Sequence, residues 1–391
     1  MKFLKNLLSV TAVIALATNT VSLNTSAFNA KIAEVPVKYV RSAETEYFDS
    51  AESLAAYVRE KMTERVSNIS FSVPDDWNGR ETVIQVLRDS TAETDKPNQG
   101  DYLRKSISYV EYTISDYISD ITITLDITYN TTAQQEKMID EKVSEILAEL
   151  DIKNKSEYDK ISAIYEYIIN NVTYNLYSEG NLKYTAYGAL YNKEAVCQGI
   201  SMLFYRMAKE AGISCRMIIG DAGGAHAWNI ASIDGVYYLL DPTFDLYYSK
   251  ISDCKYFLRG TEDFDEYNRN TTHIPVSSEQ EMSSLDYDYS SEDFIKNYPI
   301  SDTKYVPKCK TGDLNNDGFI DAVDASAILA AYCLLSTKNT SGLTEIQQSV
   351  ADVNGDGQIN SVDASMVLQY YSYISTEEYI EPDKFFKEKV I

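Results

Sequence analysis

The sequence predicts an α+β protein in three parts: a small α/β N-terminal domain, a larger α+β core, and an all-α C-terminal module. Three observations predict this. Ile121, Ile123, Leu125, Ile127 and Tyr129 alternate with Thr122, Thr124, Asp126 and Thr128, as a half-buried strand does. From about residue 135 to 240, helical periodicities come first and strand-like segments follow, an order characteristic of α+β domains. Beyond Cys309 an acidic, glycine-containing loop followed by an apolar helix occurs twice.

At the N-terminus, Lys2 and Lys5 precede an apolar run from Leu7 to Ala17, and small residues Thr25, Ser26 and Ala27 follow. That order is a secretory signal peptide, residues 1–27, with the mature chain starting near Phe28. The run is shorter than the roughly 20 apolar residues of a membrane span, and no later stretch qualifies. The expected location is extracellular.

Residues 45–133 form the first domain. Leu54, Val58 and Met62 share one helix face within Ser50–Val66, ahead of the 121–129 strand. Residues 134–276 form the second. Met138, Ile139, Val143, Ile146, Leu147 and Leu150 trace one helix face. Ser156 and Asp159 cap a second helix carrying Ile161, Ile164 and Ile168, and a third spans Cys197 to Ala211. Strands are predicted over 215–219, 227–232 and 236–240. Residues 277–309, rich in Ser, Asp, Glu and Tyr over 277–293, read as a linker. Residues 310–376 contain the repeat, and 377–391 form a tail.

Hydrophobic residues make up 44% of the 391-residue chain, enough for packed cores, and the length suits two or three domains. With 59 acidic against 35 basic residues, the net charge of -24 repels phosphate backbones. Nucleic acid is thereby excluded as a partner, whereas calcium and cationic surfaces remain suitable. The cysteines number 5 and are scattered, which is not a disulfide framework.

The first acidic loop places Asp313, Asn315, Asp317, Phe319, Asp321 and Asp324 at positions 1, 3, 5, 7, 9 and 12, with Gly318 at position 6. The second places Asp352, Asn354, Asp356, Gln358, Asn360 and Asp363 likewise, with Gly357. A hard cation such as Ca²⁺ takes six to eight oxygens, and this spacing wraps side-chain oxygens and the position-7 carbonyls of Phe319 and Gln358 around one point. Two ions are expected. Position 12 is Asp in both copies, where an EF-hand carries a bidentate Glu.

A duplicated loop and exiting helix with Asp at position 12 resembles the type I dockerins of cellulosomes over roughly 310–376. The resemblance implies calcium-dependent folding and docking into a cohesin on a scaffold protein. The near-identical Val323-Asp324-Ala325-Ser326 and Val362-Asp363-Ala364-Ser365 imply that either helix can present the same face. Positions 10 and 11, often Ser-Thr in that family, are Ala322-Val323 and Ser361-Val362 here, the candidate partner-binding residues.

A second constellation suggests chemistry. Cys197 opens a predicted helix, whose N-terminal N–H groups favour a thiolate. A nucleophile needs a base beside it and a third group to hold the base's tautomer. Asp234-Gly235 is a two-residue hairpin signal. With that turn, His226 faces Thr243, and Asp241 lies on the same sheet face within diagonal reach. Singly, such a cysteine or histidine is usually a core residue; their order and spacing favour a site.

Residues 156–244 resemble the transglutaminase-like core of papain-like thiol enzymes. The matching segments are Asn171-Val-Thr-Tyr174, Val196-Cys197-Gln198, Ala211-Gly-Ile-Ser, His226-Ala-Trp228 and Leu240-Asp241-Pro242-Thr243. The resemblance implies Cys197 as nucleophile, His226 as base and Asp241 as its orienter, acting on a protein or peptide amide. One oxyanion donor would be the Cys197 N–H. Hydrolysis, amine transfer (crosslinking) and a non-catalytic scaffold remain alternatives. No paired-carboxylate motif supports a glycoside hydrolase.

Overall fold

In the computed structural model, the described residues are 31–34, 45–116, 120–267, 271–277, 287–307, 310–315, 318–376 and 379–389. The segment expected to be a signal peptide, residues 1–27, and Asp317 lie outside them. The chain divides into two compact units, Met1–Tyr305 and Val306–Ile391.

The alternating stretch becomes β5 (Asp120–Tyr129), the middle strand of a five-stranded sheet. The other strands are β1 (Lys31–Glu34), β2 (Glu46–Tyr47), β3 (Asn68–Pro74) and β4 (Ile107–Asp116), in the order β1-β4-β5-β3-β2. Ile121, Ile123, Leu125 and Ile127 are buried, while Thr122 and Thr124 pair through hydroxyls with Ser72 and Ser70 at 2.9 and 2.8 Å. Helix α1 (Ala51–Thr63) begins where Ser50 accepts from the Ser53 N–H, and it buries Leu54, Val58 and Met62 as the periodicity requires. Helices α2 (Gly79–Ser90) and α3 (Gly100–Ser106) complete this layer.

The second layer starts with α4 (Ala133–Glu149), closed by a Thr132–Gln135 capping box, and α5 (Glu157–Asn171), capped by Ser156. Ile161, Ile164 and Ile168 on α5 are fully buried against α6 (Cys197–Glu210), and truncating any one to Ala would cost about 2–5 kcal/mol. Two short strands, β6 (Thr173–Tyr174) and β7 (Glu194–Ala195), pair in parallel just before α6.

The four-stranded sheet runs β10-β9-β8-β11, with β8 (Cys215–Asp221), β9 (Ala225–Ile233), β10 (Val236–Leu240) and β11 (Ile274–Pro275). Ile233 pairs with Val236, so the turn is the two residues Asp234 and Gly235, both at positive φ (54° and 82°). Helix α7 (Pro242–Asp245) follows directly.

Part of the stretch predicted to be linker contributes to the core instead. Tyr289 and Phe294, the latter on α8 (Glu292–Asn297), are buried with Trp228 and Tyr256. Burying such rings outweighs the polar composition that suggested a linker. Tyr287 and Tyr298 also lie over Arg216, at 4.6 and 4.5 Å. Arg216 is buried and bonds Asp101 of α3 at 2.7 and 3.1 Å, tying the two layers of this unit together.

The second unit holds α9 (Ala322–Lys338), α10 (Glu345–Ala351), α11 (Ser361–Ile374) and α12 (Pro382–Lys389). Ile320, Ile328, Val367 and Tyr370 share its core with Phe385 and Phe386 of α12. The predicted tail therefore contains a packed helix, because Phe385 and Phe386 supply the apolar face. No helix among the described residues is long and apolar enough to cross a membrane.

Candidate functional site

Cys197 is the first residue of α6, and Val196 before it is an N-cap without a side-chain bond, leaving the N-terminal N–H groups directed at the thiol's end of the helix. The neighbouring backbone is pinned: Val196 N–H donates to Lys183 O at 3.0 Å, and Gln198 Nε2 donates to Lys105 O and Tyr184 O at 3.2 and 3.1 Å. Helix α6 is laced to β9, because Ser201 Oγ donates to Ala227 O at 2.9 Å and Asn229 Nδ2 to Ser201 O at 3.2 Å. Cys197 and His226 therefore sit on elements fixed to each other, as a reactive pair would require.

His226 is buried on β9. Its Nε2 lies 2.7 Å from Asp241 Oδ2, and Cys197 is near enough to act electrostatically on the ring. Trp228 and Phe244 stack against the imidazole at 6.1 and 4.8 Å between centroids, fixing its plane. Asp241 is fully buried at the end of β10, where its Oδ1 accepts from the Thr243 and Phe244 N–H groups at 2.9 and 3.4 Å. Thus Cys197, His226 and Asp241, predicted from separate segments, converge in one line.

The electrostatics follow from this geometry. Burial disfavours a charged His226, but the Asp241 carboxylate outweighs it and, helped by Cys197, pushes the imidazole up to about 10. Burial opposes ionisation of Asp241 too, yet His226 and His273 hold its carboxyl well below the usual carboxylate range. A protonated His226 beside Cys197 is the partner a thiolate needs. By contrast, burial pushes the thiols of Cys215 and Cys254 well up.

Two participants were not predicted. His273 places its Nε2 3.2 Å from Asp241 Oδ2, and Asp265 Oδ1 lies 2.6 Å from its Nδ1. The sequence contains two histidines, and only the structure brings both to one aspartate. Tyr174 on β6 pairs with Ala195, two residues before the thiol, and is half-exposed. Burial, then the charge of Cys197, raises it to about 12, so its phenol stays protonated at the site's edge.

Among the described residues, His226, Asp241 and His273 are the one group of three His, Cys, Asp or Glu side chains whose candidate ligand atoms all lie within 4.8 Å of one another. Both histidine gaps to the aspartate are direct hydrogen-bond distances, so protons bridge these groups and no ion is needed to explain them.

The two acidic loops repeat one geometry. Position 1 accepts from the position-6 glycine: Gly318 N–H to Asp313 at 3.0 Å and Gly357 N–H to Asp352 at 2.7 Å. Both glycines have positive φ, 86° and 81°, which the sharp turn requires. Position 12 is buried and braces the loop. Asp324 accepts from Leu314 and Asp321 N–H at 2.8 and 3.0 Å, and Asp363 from Asn354 and Asn360 N–H at 3.4 and 2.9 Å. Burial, together with the like charges of Asp352 and Asp356, raises the Asp363 carboxyl. Such an all-oxygen, acidic set fits a hard dication. Asn315, Phe319 and Gln358 occupy the remaining described loop positions. At position 11, Val323 and Val362 are exposed, as are Leu329, Tyr332 and their repeat counterparts Leu368 and Tyr371.

Residues 144–242 match the family model of the transglutaminase-like superfamily, and residues 311–371 match that of the type I dockerin domain. The chain carries a transglutaminase-like core and a type I dockerin. No curated protein matches it. Among solved structures, a TGase aligns at 16% identity over 41% of this chain and 57% of its own, with a TM-score of 0.27. A candidate cysteine protease from Cytophaga hutchinsonii aligns at 18% over 34% and 62%, TM-score 0.24. A candidate protease from Parabacteroides distasonis aligns at 15% over 44% and 39%, TM-score 0.21. The chain thus spans less than two thirds of each. Cys197, His226 and Asp241 fall within the matched transglutaminase-like segment, and both acidic loops lie wholly within the dockerin match.

Proposed function

We propose that this chain is a secreted, cellulosome-associated thiol enzyme acting on protein amide or peptide bonds, held to a cohesin scaffold by its dockerin. The observation that carries the reading is the buried Cys197–His226–Asp241 line, with Asp241 at 2.7 Å from the imidazole. The Cys197 thiolate attacks the amide carbonyl carbon, forming a C–S bond and an oxyanion that the Cys197 N–H can receive. As the C–N bond breaks, His226 passes its proton to the departing amine. Asp241 keeps its charge and orients the ring. Water, deprotonated by His226, then resolves the thioester, which makes the enzyme a peptidase or amidase. An amine in place of water would make it a crosslinker.

In the dockerin, Asp313, Asn315, Asp317, the Phe319 carbonyl, Asp321 and Asp324 would hold one calcium ion. Asp352, Asn354, Asp356, the Gln358 carbonyl, Asn360 and Asp363 would hold the second. Calcium would supply the positive charge that draws each loop together. The partner-facing residues proposed are Ala322 and Val323 on one helix start and Ser361 and Val362 on the other. The exposed Val323 and Val362, equivalent in the two copies, support either helix serving.

Mass spectrometry of products tests the catalytic reading. Wild type and Cys197→Ala are each incubated with mixed protein substrates and a labelled primary amine. New termini or deamidated side chains made only by wild type are expected. Label on glutamines would instead identify the crosslinker, and identical products from both proteins would overturn the thiol mechanism.

A further inference from the structure

Asp241 serves two imidazoles. His226 Nε2 and His273 Nε2 approach the same carboxylate oxygen, Oδ2, at 2.7 and 3.2 Å. The other ring nitrogen of His273 faces Asp265 Oδ1 at 2.6 Å, and its backbone N–H donates to Asp265 Oδ2 at 2.9 Å. An ionised carboxylate only accepts hydrogen bonds, so an imidazole set between two of them needs a proton on each nitrogen. His273 is thus a buried imidazolium.

Its surroundings keep it in place. Phe264, Trp228 and Phe244 pack on the ring at 4.4, 4.9 and 5.2 Å between centroids. The titratable groups facing it are Asp241 and Asp265 in contact, His226 at 5.6 Å and Tyr256 at 5.8 Å. Tyr165 and Asp245 act electrostatically on Asp241 from α5 and α7, and Cys197 stands beyond His226. The two imidazole rings are close enough to repel when both are charged: a like charge at roughly 4–6 Å moves a pKa by about one unit or more.

We propose that His273 is a positioning residue that clamps Asp241 and, by sharing its oxygen, limits how tightly His226 holds its proton. The role rests on the thiol-enzyme reading of the same site. An imidazolium bonded to a buried aspartate of its own would keep its proton when the leaving amine needs it. During acylation the C–S bond forms, the C–N bond breaks, and one proton moves from His226 to the amine nitrogen. Throughout this step His273 keeps both of its protons.

The test uses the full chain labelled with ring-¹⁵N histidine. The sequence contains His 2, so two imidazoles appear and His273→Gln assigns them. Wild-type His273 is expected to be doubly protonated at pH 7. In His273→Gln, which keeps a donor towards Asp241 but removes the charge, His226 should titrate about one unit higher. Asp265→Asn removes one of the two carboxylates that hold His273, so His273 itself should titrate lower. A neutral wild-type His273, an unmoved His226 in His273→Gln, or an unmoved His273 in Asp265→Asn would overturn the proposal; if His273→Gln does not fold, wild type and Asp265→Asn decide. Alkylation of Cys197 by iodoacetamide is followed in parallel. An inert Cys197 would overturn the thiol-enzyme reading, whereas an unmoved His226 with a reactive Cys197 overturns the role of His273 alone.

Discussion

The dockerin loops and the thiol site are assembled in opposite ways. Each loop draws its oxygens from twelve consecutive residues, and its own position-12 aspartate braces its own backbone. The thiol site takes Cys197 from the start of α6, His226 from β9, Asp241 from the end of β10 and His273 from the segment leading into β11. A local site depends on what binds in it; a dispersed site depends on the packing that carries it. The two should therefore fail under different treatments.

The largest expected effects separate them completely. Cys197→Ala should remove acyl-transfer activity below detection while cohesin capture by the full chain is unchanged. Chelating calcium should do the reverse, abolishing cohesin capture and the helical signal of the second unit while amide cleavage stays within about twofold. Loss of both activities together on chelation would break the comparison.

Asp241→Asn sharpens the picture of the dispersed site. It should lower kcat by roughly 10²–10⁴-fold, because an amide can present its N–H to His226 and select the wrong tautomer. Farther out, Arg216→Met would remove one of the two buried cations on Asp101 and leave Arg104 alone, so the first unit should lose less than the roughly 3–5 kcal/mol of a fully orphaned buried charge. Thermal unfolding should show that transition falling while the dockerin transition holds.

The smallest effect is in pH dependence. His226 is raised from its ordinary value of 6.5 to about 10, so its folded form favours the proton. That stabilisation is fully present below pH 6.5 and is lost as pH rises to about 10. Asp241 is lowered, so its contribution is present above its ordinary 3.8 and disappears as pH falls below that value. The first unit should thus weaken above neutrality and in acid, as denaturant titrations at several pH values would record.

Legibility in the sequence follows the same division. The loops could be read outright, since position, chemistry and glycine turn all lie in one short string. The His226–Asp241 pairing was readable through one inference, the two-residue turn at Asp234-Gly235, which sets the parity joining them. His273 and Asp265 were not readable, because no periodicity connects the approach to β11 with the end of β10; only packing around Trp228 and Phe264 brings them together. The aromatics at 287–298 were hidden for a related reason. Their composition suggested a linker, and their value lies in rings that reach Arg216 and the core around Trp228.

One measurement tests the central claim most directly. Wild-type chain is exposed briefly to limiting iodoacetamide at pH 6, and the alkylated cysteines are mapped by mass spectrometry. Cys333 is exposed on α9 and Cys197 is buried, so access alone would favour Cys333. The account predicts that Cys197 reacts first, as a thiolate held by His226. Labelling of Cys333 ahead of an inert Cys197 would contradict it.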